Sequence, residues 1–221
     1  MSAWDEKAGR VSQSFDEWAL TDGDQRAFLR LGLAFAEQAY EQIWDEAGRG
    51  PGDPDGSEQI DVFEKRVGGL HEHDYVWMHC SGILRDAVTS FEVYLEKARE
   101  EILKHQGQPI EVPERAPLYR ELKDFFDPLG VDIDAEGVDE VRQLRHFLTH
   151  RRGEIRTSAL RERYAAEAEG LGPLNVELSE APVLDAMGVL GRAARRIDMA
   201  VYRYSWGGVE IGGLRPIVGD P

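Results

Sequence analysis

One cysteine, Cys80, among 221 residues leaves no partner for an internal disulfide and too few thiols for a cysteine-based zinc site. Long apolar runs are missing too. No uninterrupted stretch approaches the roughly 20 residues that a membrane-spanning helix requires. The opening Met-Ser-Ala-Trp-Asp-Glu-Lys has no basic region followed by an apolar core, so a secretory leader is not expected. Together these lacks predict a soluble, cytoplasmic protein with no membrane partner. Positive charge is scarce: Lys and Arg total 26 against 42 Asp and Glu, a formal net charge of −16. Indiscriminate nucleic-acid binding needs a broadly basic surface, which this chain does not have, although a local site is compatible with that balance. The glycine-rich segment Gly48-Arg49-Gly50-Pro51-Gly52 lacks the lysine and flanking strand of a phosphate-binding loop. No serine nucleophile elbow is present either.

What the chain does have is helical periodicity. Leu84, Val88, Phe91, Leu95, Ala98 and Ile102 step by four and three, the period of a bundle helix spanning about 75–105. Gly107, Pro109 and Pro113 end it. Val183, Met187, Leu190, Ala194, Ile197, Val201 and Tyr204 repeat the pattern in a last helix that starts near Ser179 and tolerates Pro182 in its first turn. A first helix is predicted from about Asp22 to Ala47, capped by Thr21 or Asp22, with Leu29, Leu33, Ala36, Tyr40, Ile43 and Trp44 buried. Residues 1–21 read as an N-terminal extension in which Trp4, Val11, Phe15 and Trp18 pack back on the body.

The breaker cluster 48–56 is an exposed loop. Ile60, Phe63 and Val67 mark a helical region interrupted at Gly68-Gly69. A short helix at 118–126 stops at Pro128 and Gly130, and Thr157–Glu169 reads as helical. Leu174–Leu178 alternates as an extended segment would, and 207–221 is a C-terminal tail. The sum is an all-α, up-and-down bundle of four to five main helices with short extra ones.

Chemistry concentrates in residues 141–153. Val141, Leu144, Leu148 and Ile155 form one face of an amphipathic helix. Arg142, Arg145, His146, Thr149 and His150 form the other. Seven arginines between Arg142 and Arg163 face only Glu154 and Glu162, a local net of +5 (7 − 2) that leaves −21 for the rest of the chain. Histidine titrates near operating pH and suits proton transfer. Arginine offers a permanently charged fork matched to phosphate. Positions 145 and 150 lie five residues apart, about 140° around an ideal helix. One such helix cannot converge both on one phosphate, which favours a second copy across a two-fold axis. The plainer reading makes these residues ion-pair partners on a solvated helix face.

The pattern Arg145-His146-x-x-x-His150 resembles the Arg-x(4–6)-His signature of HEPN-domain proteins, a large group of α-helical bundles. The polar residue after the arginine, the earlier Ser90-Phe-Glu-Val-Tyr-Leu95 helix and the closing helix 183–204 fit the same pattern, so the HEPN-like domain is expected over residues 22–206. The resemblance implies a metal-independent endoribonuclease that needs no cofactor, with Arg145, His146 and His150 as catalytic residues of a site composed across a homodimer. Arg142, Arg151 and Arg152 are then auxiliary RNA contacts, or ion-pair residues. Toxin, phage-defence or stress roles, with a protein antitoxin or regulator, are further implications of the resemblance. Glu92 and Glu96 are placed to face the motif helix. Some HEPN-like members are non-catalytic, so the competing class is an interaction module that binds RNA or protein without cutting. A third class is a metal-dependent bundle enzyme built on His71, His73 and His79 with Glu72 and Asp74, although those ligands do not share one face of one element. Cys80 reads as a buried small residue rather than a nucleophile.

Overall fold

The helix that the four-three stepping predicts most strongly is the one on which the others pack. In a computed structural model, which describes residues 11–47, 65, 68, 70–108, 115, 117–151 and 176–205, it runs Glu72–His105. Leu84, Val88, Phe91, Leu95, Ala98 and Ile102 are all fully buried. In chain order the helices are α1 (Gln13–Ala47), α2 (Glu72–His105), α3 (Tyr119–Phe126), α4 (Val138–Arg151) and α5 (Glu180–Ser205), with short 3-10 turns at Asp127–Leu129 and Ala135–Gly137. The fold is all-α, and among the described residues there is no strand. Nor, among them, is any helix long and apolar enough to cross a membrane.

α1 lies antiparallel to α2. Glu17 meets Lys97 at 2.7 Å, His79 meets the carbonyls of Phe28 and Leu29, and Tyr40 donates to the Leu70 carbonyl at 2.7 Å. α5 runs parallel to α2: Trp77 Nε1 donates to the Val176 carbonyl, Tyr94 to that of Ala194 and Gln106 to that of Tyr204. α1 and α4 each pack against both α2 and α5 and, among the described residues, form no helix–helix interface with one another. They therefore occupy opposite sides of the α2–α5 pair.

The first helix begins at Gln13, not near Asp22, and the boundary expected at 21/22 falls inside it. The cap is Ser12. Its Oγ accepts the Phe15 N–H at 3.2 Å, and its carbonyl accepts the Asp16 N–H at 3.1 Å. The remaining N–H groups of the first turn are capped from another helix, Gln13 and Ser14 donating to the two carboxylate oxygens of Glu101 at 3.2 and 2.9 Å. The Ser12 N–H and Oγ both donate to Asp198 of α5. Burial of Phe15 and Trp18 against Tyr94 overrides the local break that Asp22-Gly23-Asp24 signals. At the other end Trp44, expected inside, is 46% exposed. The antiparallel register explains this, because position 44 lies beyond the start of α2.

α2 ends in a Schellman arrangement: Gly107 (φ 72°) donates to the Lys104 carbonyl and Gln108 to that of Leu103. Gly130 (φ 73°) closes the turn after α3 in the same left-handed region. Residues 176–179 are irregular. Over 176–178 Val176 and Leu178 are buried while Glu177 is exposed, so the alternation is present there, with no ladder partner among the described residues. The helical readings at 57–67 and 157–169 and the 207–221 tail lie outside the described residues, apart from Lys65.

Candidate functional site

α4 owes its position to its apolar side. Val138, Val141, Leu144, Phe147 and Leu148 are buried, all but Phe147 in the main core. With that face fixed, Arg142 and Arg145 fall at the rim, and His146 and Thr149 face solvent.

Arg142 is heavily engaged. Its Nε donates to Glu92 Oε1 at 3.1 Å, and its guanidinium carbon lies 3.1 Å from the Tyr119 ring centroid, a cation–π contact. Tyr119 in turn donates its hydroxyl to Asp134 at 2.7 Å, and Lys123 Nζ reaches the other oxygen of Asp134 at 2.6 Å. Burial, the Asp134 hydrogen bond and the Asp134 charge drive the Tyr119 hydroxyl far above its usual range. It is therefore a permanent donor. Asp134 pays a desolvation penalty that Lys123 and Tyr119 outweigh, so its carboxyl sits below its ordinary value. The ion-pair reading of Arg142 is thus realised.

Arg145 shares the same carboxylate more loosely, one guanidinium nitrogen standing 4.0 Å from Glu92 Oε2, with the side chain partly exposed. Glu92 therefore faces the motif helix, as its place beside Phe91 predicts. Glu96, one turn on, has its carboxyl pushed up by burial and by the Glu100 and Glu92 charges. No ion pair joins Glu96 to α4 among the described residues. The Thr149 hydroxyl donates to the Arg145 carbonyl at 2.8 Å. The backbone of α4 is continuous through His150 and Arg151, so positions 145 and 150 keep their 140° separation around one axis. The side chains of His150 and Arg151, and all of Arg152, lie outside the described residues.

The histidines near the start of α2 do not converge. His71 stacks on His73 with ring centroids 5.6 Å apart, and His73 lies 3.4 Å from Asp74. His79 is committed to α1, its Nε2 lying 3.3 and 3.2 Å from the carbonyl oxygens of Phe28 and Leu29. Among the described residues no group of three or more His, Cys, Asp or Glu is placed to hold a metal ion. Cys80 is buried, and burial followed by the Glu180 charge pushes its thiol up to about 11, leaving little thiolate near neutrality.

Sequence reasoning missed the Tyr119–Asp134–Lys123 brace behind Arg142. The signal that could have found it is weak: an aromatic on a short helix, then an acid at the end of a loop. No family model, curated protein or solved structure matches the chain.

Proposed function

We propose that the protein is a HEPN-like, metal-independent endoribonuclease, acting as a homodimer in which two α4 helices face each other. The observation that carries this reading is Arg145. It is a permanent cation tethered loosely to Glu92 and partly exposed, next to His146 on the solvent side of a helix that continues through position 150.

The chemistry such a site would perform is internal transfer at phosphorus. A histidine removes the proton from the 2′-OH, the 2′-oxygen bonds to the adjacent phosphorus, and the 5′-oxygen leaves with a proton from a second acid. Arg145 stabilises charge on the non-bridging oxygens. His150 is assigned as base or acid, and His146 orients RNA or assists proton transfer. Arg142, braced by Glu92 and Tyr119, positions Arg145 through their shared carboxylate. Arg151 and Arg152 are the auxiliary RNA contacts of this reading.

The test is cleavage of a mixed cellular RNA pool in EDTA by wild type, Arg145→Ala and His150→Ala, with helicity checked by circular dichroism. Cleavage by wild type that falls at least a hundredfold in both variants is the expected result. Cleavage that EDTA abolishes would move the activity to a metal site. A second reading is favoured by the pairing of both Arg142 and Arg145 with Glu92, which neutralises part of the patch. On it the surface binds RNA or a protein without cutting, and none of the three proteins cleaves while wild type still retains its ligand.

A further inference from the structure

α1 has a second face. Leu29, Ala36 and Tyr40 are buried, but Leu20, Phe28, Leu31 and Phe35 are 68, 61, 55 and 65% exposed. With Asp24 they are spaced four, four, three and four apart, which aligns them as one ridge about 22 Å long at 1.5 Å rise per residue. Two phenylalanines and two leucines aligned this way on a solvent-facing helix differ from the singly scattered apolar residues that any surface carries.

The charges around the ridge are of one sign. The two α1 arginines are already paired, Arg26 with Asp22 at 2.7 Å and Arg30 with Glu180 at 3.3 Å. Among the described residues Asp24 and Glu41 of α1 and Asp86 of α2 have no ion-pair partner. The whole chain carries −16, so a second copy brought to this face meets a surface of its own sign.

The geometry points to this ridge as the docking surface for an amphipathic, basic helix of another protein. The helix would lay an apolar i, i+3, i+4, i+7 stripe along Leu20–Phe35 and place lysines or arginines against Asp24 and, at its flank, Glu41. The inference does not depend on the ribonuclease reading. The ridge lies on the side of the α2–α5 pair opposite α4, so a partner seated there leaves Arg145 and His146 open.

The probe is a fluorescein-labelled 18-residue peptide of leucines and lysines with the leucines in one helical stripe. Its control has the same composition with the leucines scattered. Anisotropy at physiological salt should show saturable binding of the striped peptide to the full chain and at least tenfold weaker binding of the scattered one. Phe28→Ser/Phe35→Ser should weaken the striped peptide at least tenfold, and Asp24→Asn/Glu41→Gln should weaken it and flatten its salt dependence. Equal binding of the two peptides, or binding indifferent to Phe28→Ser/Phe35→Ser, overturns the proposal. So does self-association in sedimentation that this double variant abolishes, which would make the occupant a second copy. Binding gained on Ile60→Ser/Phe63→Ser would make the occupant the chain's own 57–67 segment, and likewise overturns it.

Discussion

The carboxyl of Asp198 is buried beneath the first turn of α1, where burial and the nearby Glu101 charge raise it above its ordinary value although Ser12 donates to it twice. The folded protein therefore holds that proton more tightly than the unfolded chain. Its contribution is most favourable below the ordinary carboxylate value and is lost as pH rises through the raised folded one. Asparagine keeps an acceptor for the Ser12 N–H and hydroxyl and carries no charge. Asp198→Asn should gain on wild type as pH rises from about 4 to about 7 in urea midpoints. A variant that falls further behind wild type as pH rises would mean that the carboxylate's hydrogen bonds outweigh the cost of burying it. At this scale the sequence is a poor guide. Arg142 and Arg145 look alike in the string Val-Arg-Gln-Leu-Arg-His, and only the folded arrangement separates an arginine pinned between Glu92 and Tyr119 from one left partly open. Tyr119 lies 23 positions before Arg142, on another helix, and no local pattern links them.

Between elements, the contact of α1 with α2 turns on a glycine. A Cβ at Gly32 would overlap the Nε2 and Cε1 atoms of His79, whereas a Cβ at Gly23 or Gly82 meets nothing within 4 Å. Glycine inside a helix ordinarily costs about 0.5–1 kcal/mol relative to alanine. Gly23→Ala and Gly82→Ala should therefore each raise stability by about that amount. Gly32→Ala should lower it by about 1–3 kcal/mol, the range for overpacking. Adding His79→Ala should recover part of the loss by opening the space. Stabilisation by Gly32→Ala alone would show that His79 can leave the contact at little cost. The interiors of α2 and α5 are legible because burial repeats at the helix period over many turns. The start of α1 is not, since Asp22-Gly23-Asp24 carries the local signals of a cap while Phe15 and Trp18 hold the helix on through distant contacts. Ser12 is an ordinary capping residue in hindsight, but its partner Asp198 lies 186 residues away, and Glu101, which caps Gln13 and Ser14, lies 88 and 87 residues from them.

Across the molecule, the all-α class follows from composition and period alone, because no segment carries paired strand signals. The proposed ribonuclease site is of another kind. Its logic requires two copies, and a single chain specifies only one half of such an arrangement. α2 is the helix that α1, α3, α4 and α5 all touch, while α3 has α2 as its main helical neighbour. In the language of amide exchange, the N–H groups between Leu84 and Ile102 should have no partial opening that frees them. Their deuterium uptake should report global unfolding, and uptake in α3 and α4 should run ahead of it through smaller openings. Uptake in α4 as slow as in α2 would contradict this. The helix that carries Arg145 and His146 is on this account free to adjust its seat against a second copy or a ligand while the rest of the bundle remains folded.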